Sequence, residues 1–396
     1  MPIAQFQLGH GGAEMQAHRL ARALVARGHQ VEIVTSRHAG EARLEAIDGG
    51  VTVRRLFTFD NRRAVWRLGA YSYTGLLLAE LLGRRSGHDV VHVHQAFHPA
   101  FAAVLARRLG GGRPVVVKVA TAGSFGDLNQ MREGRPTLPL GSARMARAIV
   151  RGADMLVAIS AAVAGELAAA GVPAARIARI PNGVDVHPVP TPADRAAARS
   201  ALNVPPGSKV LVYVGRSGPQ KGSDVLLAAW RCLRGRMGGD AAAGARLFVL
   251  GQGFDSDAGF MATAREMGPS VTVAGRVGDV PKYLAASDLF VLPSRGEGLS
   301  NAILEAMMYG VPCLVSDIQP NLELVEHGRT GLVFPSEDGT ALARAIEDAL
   351  SRPAETAGLA LEARRLVEDR YAMPRVVSDY EALYSRLIGA SQPPHT

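Results

Sequence analysis

What most constrains this chain is an alternation of short Val/Ile/Leu runs with Ala- and Leu-rich helical periods, and the alternation runs through twice. The first half reads "IAQFQLG", "EMQAHRLARALVARG", "QVEIVTS", and later "DVVHVHQ", "FAAVLARRLG", "PVVVKVA" and "DMLVAIS". Continuous apolar strands parted by helices pair in parallel and are covered on both faces. The pattern predicts a doubly wound α/β sheet. Prolines and small residues then break the rhythm over 189–209, "VPTPADRAAARSALNVPPGSK", which predicts a linker. Afterwards "KVLVYVG", "DVLLAAWRCL", "RLFVLGQG", "SVTVAG", "LFVLPS", "PCLVSD" and "TGLVFPS" repeat the alternation. We therefore expect a first domain over 1–188, a second over 189–371, and a final helix within 372–396 that packs back onto the first. Open sheets take ligands at the carboxyl ends of their strands, so two such halves would face a central cleft.

Composition narrows the partners. Residues 1–187 hold 23 Lys and Arg against 13 Asp and Glu, while the remainder holds 21 against 23. The basic excess thus lies wholly in the first half, a field that attracts phosphate groups. Nucleic acid is the weaker choice for the source of those phosphates and is not the expected partner, because aromatics are 5% and no basic run interleaves with them as a stacking platform requires. The two cysteines, Cys232 and Cys313, lack metal or disulfide spacing and read as core. No apolar run approaches the roughly 18 residues of a membrane span, and "MPIAQFQLGHGGAE" lacks signal-peptide order. The expected location is cytoplasmic.

Three loops carry candidate chemistry. In "LVYVGRSGPQKG", 211–222, a strand ends at Gly215 and is followed by Arg216 and Lys221. Backbone N–H groups at such a loop approach an anion, and two cations suit a diphosphate; the alternative is a solvated basic turn. Gly11-Gly12 ahead of a helix beginning near Glu14 repeats the geometry more weakly. In "LFVLPSRGEGLSNAILEAMMYGVP", the amides of Gly298, Leu299 and Ser300 sit at a helix start, where phosphate or sugar hydroxyls are favoured. Glu297 and Glu305 stand eight positions apart, roughly 12 Å along an ideal helix. That separation rules out a paired acid and base on one bond, and fits carboxylates accepting from different hydroxyls of one extended ligand. The competing reading makes Asn301, Glu305 and Tyr309 the solvated face of an amphipathic helix.

These segments, with "GGAE", "GADMLVAIS", "IPNGVD", "GRVGDVPKYLAASDLFVLPSRGEGLSNAILEAMMYGVP" and "LVEHGRTGLVF", resemble the retaining family 4 glycosyltransferases of GT-B architecture. The resemblance spans nearly the whole chain in order. It implies two Rossmann-like halves, an acceptor in the first and a nucleotide-sugar donor, most simply a UDP-sugar, in the second, with no metal or other cofactor. It implies that Arg216 and Lys221 hold the donor diphosphate and stabilise the leaving group, that Glu297 contacts the sugar ring, and that Glu305 accepts the ribose hydroxyls. Arg276 and Val277 would meet the base largely through backbone, and Gly12, beside Gly11, would lie near the diphosphate.

One departure stands out. The family often carries a histidine in a Val-Val-x-x-x-His pattern, and here "PVVVKVATAGSFGDL" places Ala120 there. His98, Thr121 and Ser124 are the acceptor-side candidates, and Lys118 and Asp127 lie nearby without an assigned part. His92 and His94 read as packed strand histidines.

The segment 60–85, "DNRRAVWRLGAYSYTGLLLAELLGRR", combines arginines, aromatics and an apolar stripe. It fits an interfacial helix and peripheral membrane contact near a lipid-linked acceptor, or else an ordinary helix packed on the sheet. Nucleotide-sugar epimerase, phosphorylase and non-catalytic nucleotide-sugar binder remain the competing functions.

Overall fold

The structure, a computed structural model, describes residues 1–4, 11–38, 40–59, 66–84, 87–110, 113–132, 142–236 and 244–391. The Val/Ile runs of the first half form β1 (Glu32–Arg37), β2 (Leu44–Ile47), β3 (Val51–Phe57), β4 (Val91–His94), β5 (Val115–Val119), β6 (Met155–Ala158) and β7 (Ile177–Arg179). Ahead of β1 lies α1 (Gly12–Ala26), and among the strands lie α2 (Trp66–Gly83), α3 (His98–Gly110), α4 (Asp127–Arg132), α5 (Ser142–Gly152) and α6 (Ala161–Ala169). The second half opens with α7 (Pro192–Ala201) and β8 (Lys209–Val214), then α8 (Ser223–Arg236) and β9 (Ala245–Leu250). There follow α9 (Ala258–Glu266), β10 (Val271–Gly275), α10 (Val280–Ala286), β11 (Leu289–Leu292), α11 (Asn301–Met308), β12 (Cys313–Ser316), α12 (Gln319–Leu322) and β13 (Leu332–Phe334). Helices α13 (Gly339–Ser351), α14 (Pro353–Arg370) and α15 (Met373–Ser391) close the chain.

The chain divides into two units, Met1–Gly183 together with the chain from Met373 onward, and Val184–Ala372. In the first, β4-β5-β6-β7 pair in parallel. A second group has the order β1-β3-β2, with β1 and β3 parallel. The chain start bridges the groups: Ile3 N–H donates to Val34 O at 3.0 Å and His94 N–H to Pro2 O at 3.1 Å. The expected first strand "IAQFQLG" is described only at Ile3 and Ala4, and residues 5–10 lie outside the described residues. Strand β2 runs antiparallel to β3, which the all-parallel expectation did not include. The cause is local: Gly49 and Gly50 take φ 74° and 73°, a tight reversal too short for a crossover helix.

Helix α15 packs against α1 and the sheet through Leu20, Leu24, Val376, Val377 and Tyr380, and Arg27 reaches Glu381 at 2.5 Å. The apolar stripe of α2 is core: Tyr73 and Leu77 are buried with Val34, Leu56 and Ala102. The Tyr73 hydroxyl donates to the carbonyls of Ile3 and Val34. Of the arginines in that stretch, Arg62, Arg63 and Arg85 lie outside the described residues, and Arg84 is paired with Glu32 at 2.6 Å. Among the described residues no helix is long and apolar enough to cross a membrane.

About half of the stretch expected as a linker is helix, Pro192–Ala201. Thr191 and Asp194 form a reciprocal capping box with Pro192 at the first turn, which starts α7. Arg195 and Arg199 then fix α7 to Asp288 at 2.7 and 2.6 Å. The chain leaves the first unit at Gly183 instead, and beyond it Val184 N–H bonds Tyr371 O at 2.9 Å.

The second unit holds one parallel sheet in the order β10-β9-β8-β11-β12-β13. Numbered within the unit, this is 3-2-1-4-5-6, and chain direction across the sheet reverses between β8 and β11. Leu211, Val212, Leu247, Phe290, Val291 and Leu314 are fully buried at its centre.

Candidate active site

In a doubly wound sheet the loops after the two strands flanking the reversal splay apart and leave a crevice. Here those loops follow β8 and β11, and they hold the basic loop and the Glu297 segment respectively. Their approach is close enough to need glycine. A Cβ on Gly222, whose φ is +64°, would lie 1.8 Å from Pro293 O; on the other side, where the loop after β9 meets the loop after β8, one on Gly251 would lie 1.8 Å from Gly215 O. The loops are also laced by hydrogen bonds. Arg295 N–H donates to Gln220 O at 2.8 Å, and Gln220 Nε2 donates to Gly296 O at 3.1 Å. The Arg295 guanidinium holds Asp224 through two bonds of 2.8 and 2.7 Å, Glu337 at 2.6 Å and Pro219 O at 2.8 Å. Asp224 keeps its carboxyl below the usual range chiefly through that bond.

The consequence is a contact 76 residues apart in sequence: Lys221 Nζ lies 2.7 and 2.8 Å from the two carboxylate oxygens of Glu297. Glu297 is 5% exposed. Behind the pair, buried Tyr213 donates toward the carbonyls of Arg216 and Lys221, both at 3.3 Å. Burial, and then the Glu297 charge, push its phenol well above the ordinary range. Arg216 is exposed and makes no ion pair among the described residues. Beyond Glu297, Gly298, Leu299 and Ser300 are buried, and the Ser300 hydroxyl accepts from Ile303 N–H to cap α11. From below, Asn321 Nδ2 reaches Ser316 Oγ at 3.0 Å and Ser316 Oγ donates to Ser294 O at 2.5 Å, fixing the root of this loop.

Glu305 is half-buried, as are Asn301 and Tyr309 on the same face of α11, so this face is not a fully solvated stripe. Arg276 is exposed and Val277 half-buried in the loop after β10, whose Gly275 O accepts from Gly251 N–H at 2.7 Å. The structure thus gathers Arg216, Lys221, Arg276, Val277, Glu297, Gly298, Leu299, Ser300 and Glu305 on loops and a helix at one edge of the second unit.

The first unit carries the remaining candidates. Gly11 and Gly12 start α1, where a Cβ on Gly11 would meet Glu14 Oε2 at 2.3 Å. His98 opens α3, and burial pushes its imidazole pKa down. The loops after β4 and β5 are tied together by buried Asp127, which accepts from Ala96 N–H at 3.5 Å, Ala120 N–H at 2.9 Å and the Thr121 hydroxyl. Thr121 therefore spends its proton on Asp127, and Ser124 is exposed. His92 and His94 are buried, His92 Nδ1 lying 2.7 Å from the Tyr384 hydroxyl, as packed histidines. Sequence reasoning overlooked Arg295 and left Asp127 unassigned. The available signal was an arginine directly between a strand end and Gly-Glu-Gly, and an acid at the first position of a short helix.

Two Rossmann-like parallel-sheet units, the second with a basic loop and a buried glutamate at its strand-order reversal, define a GT-B type of transferase. The comparisons agree. Residues 10–187 match the model for Glycosyltransferase Family 4, and residues 208–352 that for Glycosyl transferases group 1. D-inositol 3-phosphate glycosyltransferase of Rhodococcus opacus is 29% identical, the match covering 93% of this chain and 84% of that protein. Sucrose-phosphate synthase from Thermosynechococcus elongatus superposes with a TM-score of 0.81 at 22% identity, over 98% of this chain and 100% of that one. Anabaena HepE in complex with UDP and glucose gives 0.77 at 20% identity, over 97% and 98%. The chain belongs to the family 4 and group 1 glycosyltransferases and has their GT-B fold.

Proposed function

We propose that this glycosyltransferase moves a hexose-type sugar from a UDP-sugar to a hydroxyl acceptor, with retention and without a metal. The observation that carries the reading is the Lys221–Glu297 pair at the strand-order reversal, with Arg216, which makes no ion pair among the described residues, in the same loop. An ammonium has three donors, and a diphosphate oxygen arriving beside Glu297 takes one of them. As the bond from sugar to phosphate breaks, charge grows on the leaving diphosphate, and Arg216 and Lys221 stabilise it, Lys221 from the position Glu297 holds it in. Glu297, held by Lys221, accepts from the sugar hydroxyls, and Glu305 from the ribose. Arg276 and Val277 serve the base. With Ala120 in the histidine position, no side chain there bonds the transferred sugar, and the departing phosphate takes the acceptor's proton on the face it leaves. Support for uridine comes from the solved HepE complex with UDP. The acceptor, a small molecule or a lipid-linked one, meets the first unit near His98, Thr121 and Ser124.

The test is a thermal-shift panel of UDP, GDP, ADP and TDP, with and without magnesium, on wild type and E305A. A ligand at a hundredfold excess over Kd stabilises the folded state by about 2.7 kcal/mol. We expect a UDP shift that ignores magnesium and shrinks in E305A. A magnesium-dependent shift overturns the metal-free reading, and no shift with any nucleotide overturns the donor site. Product analysis without acceptor separates transfer from epimerase or phosphorylase chemistry.

A further inference from the structure

We propose that the face built by α3 and α5 is a docking surface for an anionic lipid bilayer, held by guanidinium-to-phosphate contacts. This goes beyond the reaction proposed above and does not rest on it. Helix α5, "SARMARAIVRG", buries Met145, Ala146 and Ile149 and exposes Arg144, Arg147 and Arg151 at i, i+3 and i+7. Arg108 joins them from α3. The helices approach at Gly152, where a Cβ would lie 2.2 Å from Val104 Cγ1 and 3.4 Å from Arg108 Nε. The result is a shallow, open pocket lined by Arg108, Arg144, Arg147, Ala148 and Arg151.

No carboxylate answers these four charges among the described residues. Neither α3 nor α5 contains an acid, and the neighbouring Asp154 is spent on Arg107 at 2.6 Å and on Val115 N–H at 2.8 Å. Among the described residues Arg147 bonds only its own helix, through Ala143 O at 3.3 Å. Guanidinium groups crowded without counter-charge repel one another, and oxyanions relieve that repulsion through bidentate bonds. Open relief and long exposed side chains do not make a pocket for one ligand. They suit a plane of many phosphates. Leu109, 66% exposed beside Arg108, adds the apolar contact an interface takes up. By contrast Arg84, at the end of α2, is already paired with Glu32 and Glu80.

The experiment is co-sedimentation of the full chain with vesicles of phosphatidylcholine, alone or mixed equally with phosphatidylglycerol. Each arginine near an anionic surface raises partitioning by roughly fivefold, so R144Q/R147Q/R151Q should bind the mixed vesicles roughly a hundredfold more weakly. The control R329Q/R352Q/R365Q removes three exposed charges from the second unit and should bind like wild type. Both variants should keep the wild-type melting temperature, since exposed arginines contribute little to stability. Supporting results are binding that needs phosphatidylglycerol, falls at about 0.5 M salt and is lost in the α5 variant alone. No binding by wild type, or equal loss in the control, overturns the proposal. So does tight binding of tripolyphosphate or of single-stranded DNA that survives in the presence of excess mixed vesicles, which would make the face a site for a soluble polyanion.

Discussion

Replacing Lys118 with Met should stabilise the first unit at neutral pH, and the gain should vanish in alkali. Lys118 is 4% exposed on β5, level with His94 on β4. His92 and His94 flank it from β4, and Tyr380 of α15 presents its ring 6.0 Å from the ammonium, with Tyr384 beyond. No carboxylate pairs with it among the described residues. Burial lowers its pKa from 10.5 to about 7 and holds both histidines well below their ordinary value. A base with a depressed folded pKa costs stability in full below that value and is relieved as pH rises toward the unfolded one. The gap between 10.5 and about 7, at about 1.4 kcal/mol per pH unit, makes the full cost roughly 5 kcal/mol. Met keeps the stem's volume without the charge and loses the ring contact, worth about 1 kcal/mol. The variant should therefore gain roughly 3 kcal/mol at pH 7 and little by pH 10. Hydrogen exchange of peptides from β5 and α15, corrected for intrinsic rates, isolates this unit from the other. A variant–wild-type difference that stays flat from pH 7 to 10, or a variant less stable throughout, would refute the argument.

Three further outcomes follow from the site. K221M leaves buried Glu297 without its counter-charge and should lower the stability of the second unit by about 3 kcal/mol. Adding E297Q should restore stability without restoring the UDP shift, and an unimpaired K221M would break the pairing argument. G222A puts a Cβ 1.8 Å from Pro293 O at φ +64° and should cost about 2–3 kcal/mol and weaken UDP binding, read by melting temperature and calorimetry. D127A strips the acceptor from Ala120 N–H, Ala96 N–H and the Thr121 hydroxyl, so amide exchange at 96 and 120 should speed by roughly a hundredfold, against about 3 kcal/mol of lost bonding.

How far the sequence reaches is visible at Lys221 and Glu297. Each was legible alone, because a strand, a glycine and a charged loop are local patterns that the chain spells in consecutive residues. Their ion pair was not, since it depends on β11 lying beside β8, a neighbour relation set by sheet order and not by spacing. The same distinction sorts the other outcomes. The alternation of Val runs with helical periods predicted both parallel sheets, but β2 escaped because two left-handed glycines turn the chain before a helix can intervene. The capping signal Thr-Pro-Ala-Asp at 191–194 was present in a stretch whose prolines suggested a linker, and the reciprocal bonds decided for helix. Lys118 is the sharper case. On an alternating pattern a lysine between two valines should face water, yet this strand is covered on both sides, and α15, more than 250 residues later in the chain, supplies the second cover. A residue whose burial is completed by the far end of the chain has no local signature, which is why its cost must be read from pH and not from motif.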